Sequence, residues 1–200
     1  KTMEYYFTAN NYGDHYLQEV NGNTFNKLGA YGFLSDHFDN ILLKKEHLYI
    51  IVGTDSGQIP QYLLKKGIPT ESEYLFIETD EIYNKIKEIF PEHPQLHQCK
   101  EDDWLQKSEE VGLPLYIQSQ SATLVRSTGA SYNFYKGYPP LFETVNHYYR
   151  TTSAKVSANS NPFHFYKVGM RNLTENQHNV SLLEDQFKDK TAVLIGAAPS

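Results

Sequence analysis

The sequence predicts an α/β protein: a Rossmann-like, mostly parallel sheet with helices on both faces, followed by a helical connector. Three observations carry this. HLYIIV (47–52) and EYLFIE (73–78) are short continuous apolar runs rich in β-branched and aromatic residues, the pattern of strands buried on both faces. Helical patterns lie between them. The two kinds of segment alternate at the spacing of β-α-β units, which favours parallel strands.

The elements follow in order. Residues 1–32 are polar and aromatic, with NNYG and NGN turn signals, and read as an irregular or short-strand lead-in. FLSDHFDNILLKK, from 33, has the apolar spacing of a helix. After the strand at 47–52 comes GTDSG, and IPQYLLKKG reads as a helix closed by Gly67. After the strand at 73–78, TDEIYNKIKEIF (79–90) is an amphipathic helix capped by Thr79 or Asp80, with Ile82, Ile86, Ile89 and Phe90 on one face. Pro91 and Pro94 end it. QLHQC (95–99) is expected as a third strand. EDDWLQKSEEVG (101–112) is expected as a helix with acids at its start, and LPLYIQSQ (113–120) as a fourth strand. STGASYNFYKGYPP is turn-rich. From 136 to 188 the composition suits a helical connector jointed at SANSNPF (157–163). TAVLI (191–195) then reads as the first strand of a second α/β domain, 189–200, expected to continue past Ser200.

Composition narrows the function classes. A net charge of -6 argues against a general nucleic-acid binder, which needs a basic surface. No apolar run is long enough to span a membrane. The lone Cys99 rules out an internal disulfide framework. With no signal-peptide pattern at the start, it leads us to expect a cytoplasmic protein. The 16 tyrosines suit packing, and also ring stacking with a sugar or base.

Two loops are candidate sites. In the first, a buried strand ends at Gly53, Asp55 and Gly57, and the next strand ends at Glu78. Glycines let a backbone approach a nucleotide, and an acid about 20 residues on can hold ribose hydroxyls. The spacing is not GxGxxG. It is nearer the looser first motif of S-adenosylmethionine-dependent methyltransferases, and it also fits a plain strand–helix turn. The second is AVLIGAAPS, where Gly196, Pro199 and Ser200 could receive a phosphate at a helix start. It lacks the GK[ST] of a P-loop. The remaining features are weaker. His93 and His97 are four apart, but the prolines break the helix that would align them, so no metal site is expected. Cys99 reads as a small core residue. Asp102, Asp103, Glu109 and Glu110 read as a solvated face. STGAS (127–131) has small residues that could line a pocket, and reads by default as a turn.

The stretch FYKVGMRNLTENQHNVSLLEDQFKDKTAVLIGAAPS, with the upstream YIIVGTDSGQIPQYLL and EYLFIETDEIY, resembles the motility accessory factor family, also called DUF115. That family includes flagellin glycosyltransferases and shares its domain name with an archaeal 6-hydroxymethylpterin diphosphokinase. Asn172 or Asn176 matches its connector asparagine and Lys190 its turn lysine. Gly196, Ala197, Pro199 and Ser200 match its loop, while Ala198 stands where the family has a second glycine. The resemblance implies the N-terminal part of a glycosyltransferase that moves a nucleotide-activated nonulosonic acid, a CMP-activated sugar, onto a protein such as flagellin. This part would not be catalytic alone, so no catalytic residue is named. Alternatives are a non-catalytic acceptor-binding module, an S-adenosylmethionine-dependent methyltransferase-like domain and a pterin diphosphokinase-like domain.

Overall fold

The computed structural model describes residues 6–160. The expected first strand of a second domain at 191–195, Asn172, Asn176, Lys190 and the candidate residues Gly196, Pro199 and Ser200 lie outside the described residues. So does the connector beyond 160.

The fold is α/β. The lead-in forms a small antiparallel hairpin, β1 (Phe7–Ala9) with β2 (His15–Leu17). Its turn is held by Asn10, whose side-chain oxygen accepts the backbone N–H groups of Tyr12 and Asp14. Two helices follow, α1 (Gln18–Asn21) and α2 (Gly29–Phe38). Then come β3 (Leu48–Val52), α3 (Gln58–Lys66), β4 (Glu73–Glu78), α4 (Asp80–Ile86) and β5 (Leu96–Lys100). The chain continues through α5 (Trp104–Glu110), α6 (Leu113–Gln118), β6 (Ala122–Arg126), α7 (Thr128–Tyr132) and α8 (Tyr138–Ser160).

The main sheet has four strands, all parallel, in the order β5-β4-β3-β6. The central strand β3 is buried along its whole length, as its unbroken apolar run requires. Its side chains alternate between two cores. Leu48, Ile50 and Val52 pack with α5, α6 and α8, whereas Tyr49 and Ile51 pack with α2 and α3.

Packing claims many of the tyrosines. Tyr16, Tyr49, Tyr62, Tyr74 and Tyr138 are all at most 2% exposed. Tyr49 and Tyr74 stack across neighbouring strands with ring centroids 5.0 Å apart. Their hydroxyls reach the loop at 42–44: Tyr49 accepts from the Lys44 N–H, and Tyr74 donates to the Leu42 carbonyl. Each ring is thus buried with its polar tip satisfied.

Several expected elements are corrected. The helix expected from 33 starts at Gly29 and ends at Phe38, and the one expected over 79–90 ends at Ile86, leaving Ile89 exposed. LPLYIQSQ is not a strand. Gly112 sits at φ 81°, which closes α5, and Pro114 falls in the first turn of α6. Leu113 and Ile117, one helical turn apart, are the buried positions. The fourth strand is ATLVR, β6, which pairs with β3. STGAS is likewise more than a turn: Ser127 caps α7 by accepting the Ala130 N–H.

Candidate functional site

Strand order reverses at β3. The chain steps from β3 through β4 to β5 on one side and then crosses back to β6 on the other. In open α/β sheets ligands bind in the crevice beyond the carboxyl ends of the strands at such a switch point. Here that place lies between the loop after β3 and the start of α7. Gly53, Asp55, Gly57 and Glu78 all come together there, and all are buried.

The loop after β3 is tightly wound. Asp55, Ser56 and Gly57 occupy three consecutive left-handed positions, at φ 51°, 59° and 85°. Aspartate tolerates that region better than most residues. The turn points the Asp55 carboxylate across the crevice to α7. Its Oδ2 accepts the Thr128 N–H at 3.0 Å and the Thr128 hydroxyl at 2.7 Å. Its Oδ1 accepts the Gly129 N–H at 2.7 Å and the Asn21 side-chain amide at 3.0 Å. The chain's own carboxylate therefore fills the place an anionic ligand would take. Ser56 extends the tie to the N-terminal segment. Its hydroxyl donates to the Asn21 side-chain oxygen at 2.6 Å and accepts the Leu17 N–H at 3.0 Å.

Glu78 is sealed in the same way. Its Oε1 accepts both the backbone N–H and the hydroxyl of Thr54, each at 2.7 Å. The Tyr138 hydroxyl, at the start of α8, donates to Oε2 at 3.0 Å. Burial pushes the Glu78 carboxyl up to about 7. The bonds from Thr54 and Tyr138 oppose that rise, and the nearby Asp55 charge adds to it. The Tyr138 hydroxyl is pushed well up, first by its own burial and then by Glu78. Neither carboxylate faces solvent, so neither is placed to hold a ribose in this arrangement.

Gly53 owes its identity to packing. Its φ is +86°, and a Cβ there would lie 2.3 Å from the Ser127 hydroxyl and 3.1 Å from the Tyr138 ring. Gly53→Ala is therefore expected to cost about 2–3 kcal/mol in a urea melt, from backbone strain and a displaced α7 cap. A near-neutral result would mean that Ser127 can step aside. Gly57, also at positive φ, is the residue from which α3 starts.

The other features singled out in the sequence separate. His97 pairs with Glu73 at 2.7 Å, while His93 accepts the Gln95 N–H. No group of metal-ligating residues occurs among the described residues. Cys99 is buried beside the Phe76 carbonyl, and burial pushes its thiol up to about 12, so the reactive thiolate is suppressed. No helix among the described residues is long and apolar enough to cross a membrane. Asn21, Ser56, Thr128, Gly129 and Tyr138 complete the site without having been flagged as part of it. The small residues of STGAS were visible as a turn or a pocket lining, but nothing in the sequence tied them to Asp55.

No family model, no curated protein and no solved structure matches the chain.

Proposed function

We propose that residues 6–160 form a non-catalytic recognition module of a motility-accessory-factor-like glycosyltransferase. In this reading the module engages the acceptor protein, such as flagellin. A further domain, beginning near residue 189, handles the nucleotide-activated nonulosonic acid. The glycosyltransferase part of the reading rests on the resemblance of residues 165–200 and of the β3–α4 segment. The non-catalytic part rests on one observation: Asp55 and Glu78, the acids that would recognise a nucleotide, spend their hydrogen bonds on Thr128, Gly129, Asn21, Thr54 and Tyr138. The methyltransferase-like and diphosphokinase-like alternatives need an open crevice there, and the sealed carboxylates weigh against them.

Thermal melts of the chain with S-adenosylmethionine, ATP or a CMP-activated sugar test this. A ligand at a thousand times its Kd stabilises by about 4 kcal/mol, which would raise the melting temperature of a chain this size by about 8–16 °C. The expected shift is nil for all three. A shift with S-adenosylmethionine that Gly53→Arg abolishes would replace the recognition reading with the methyltransferase one. The positive arm is saturable binding of flagellin to the immobilised chain, and its absence would remove the acceptor-binding role.

A further inference from the structure

A small recess lies between α2, α3 and the approach to β2, lined by none of the residues that seal the crevice. It encloses about 180 Å³ and is lined by Asp14, Tyr31, Gln58, Gln61, Tyr62 and Lys65, with Leu64. That is below the roughly 300–1,000 Å³ of sites for drug-sized ligands, so it holds one ring at most.

The wall is an aromatic platform. Tyr31 is 40% exposed, and its ring rests on the buried Tyr62 with centroids 5.8 Å apart. Around it the polar groups are fixed at one end and open at the other. Gln58 donates its amide to the His15 carbonyl at 2.8 Å, and Gln61 donates to the Ile89 carbonyl at 3.3 Å. Each side-chain carbonyl is left as an acceptor with no donor among the described residues. Asp14 is anchored through Oδ2, which accepts the Ala30 N–H at 2.7 Å and the Asn10 amide at 2.8 Å. Its Oδ1 has no donor among the described residues. The Lys65 ammonium lies over the Tyr31 ring, 5.4 Å from its centre, a contact a stacking ring would displace, and it has no carboxylate partner among the described residues.

This set selects a chemistry. An apolar ligand would strand the acceptors, at a cost for each one desolvated. An anion would meet Asp14, and a cation would meet Lys65. What fits is a neutral ring with several hydroxyl donors on its edge and a C–H face to lie on Tyr31. We infer that this recess binds a single neutral saccharide ring, with Tyr31 as the stacking platform, Asp14, Gln58 and Gln61 as hydroxyl acceptors and Lys65 as a donor. The inference does not depend on the glycosyltransferase reading.

The test is a nitrogen-15 NMR titration of the full chain with D-glucose, D-galactose, D-mannose and N-acetyl-D-glucosamine. At least one sugar is expected to give saturable shifts centred on residues 14, 31 and 58–65. Tyr31→Ala should weaken that binding about tenfold. Gln61→Ala, at an exposed position, should weaken it by about threefold and provides the readout should Tyr31→Ala fail to fold. The inference is overturned if no sugar gives a saturable shift, if the shifts map elsewhere, or if the folded variants bind as the parent does. It is also overturned if adenine or uracil binds in the recess and the sugars do not.

Discussion

Asp55→Ala is expected to lower the stability of the chain by about 3–5 kcal/mol, measured as the change in urea midpoint with the slope held common. Domains of this kind hold only about 5–15 kcal/mol in all. The size follows from what the carboxylate does. It accepts four bonds, three from Thr128 and Gly129 at the head of α7 and one from Asn21. Alanine removes the acceptor and leaves four donors in a region with no access to water. A buried donor left unmet costs far more than an average hydrogen bond gains. Asp55→Asn should be milder, at about 2–3 kcal/mol, because one amide oxygen remains while the amide nitrogen faces donors. Thr128→Val, which removes one hydroxyl and keeps the shape, should cost about 1 kcal/mol. The competing view is that Asp55 waits for a ligand. Groups held for function tend to be stability liabilities, so alanine would then be neutral or stabilising. A stabilised Asp55→Ala chain would sink the closed-crevice account and reopen the nucleotide reading.

The same loop shows what a sequence can and cannot reveal. β3, β4 and α3 were legible because each carries a strong local signal: an unbroken β-branched run, or a helical pattern closed by Gly67. The gathering of Gly53, Asp55, Gly57 and Glu78 was legible too, since parallel strands place their ends on one edge. That the site is closed was not legible. Apart from Thr54, 24 residues before Glu78, the groups that seal it lie 34, 60, 73 and 74 residues away along the chain. No periodicity encodes contacts at such distances. β6 was misplaced for a different reason. LPLYIQ is a short apolar run that suits a buried strand or a buried helix equally, and only its length and flanks can decide. The left-handed Gly112 and Pro114 in the first turn decide for helix. The high tyrosine content was visible at once, but a count does not distinguish a binding face from a core. Tyr49 and Tyr74 turned out to be core residues with satisfied hydroxyls. Tyr31, on a helix that the sequence pattern started only at residue 33, is the one that offers a platform.

Glu78 gives the pH dependence, and its sign runs against the common case for carboxylates. Burial raises its pKa from the ordinary 4.5 to about 7 in the fold. Between those values the folded chain holds a proton that the unfolded chain has released. Stability therefore falls as pH rises through this window, and the contribution is full only below it. Taken alone, the shift corresponds to about 3 kcal/mol, an upper figure for a group so closely bound to Thr54 and Tyr138. The urea midpoint is expected to drop between about pH 5 and about pH 8. Glu78→Gln removes the titration and keeps the shape. Its carbonyl can take both Thr54 donors, and its amide can donate to the Tyr138 oxygen. This variant should lose the slope that Glu78 supplies and match or exceed the parent at the upper pH. Glu78→Ala should behave differently. It leaves the Thr54 N–H buried without an acceptor and opens a cavity against Tyr138, at a cost of about 2–4 kcal/mol at every pH. The contrast between the two substitutions separates the charge from the hydrogen bonds. If parent and Glu78→Gln share one pH slope, the carboxyl titrates as an ordinary exposed acid. Solvent, and with it a ligand, would then reach the end of β4.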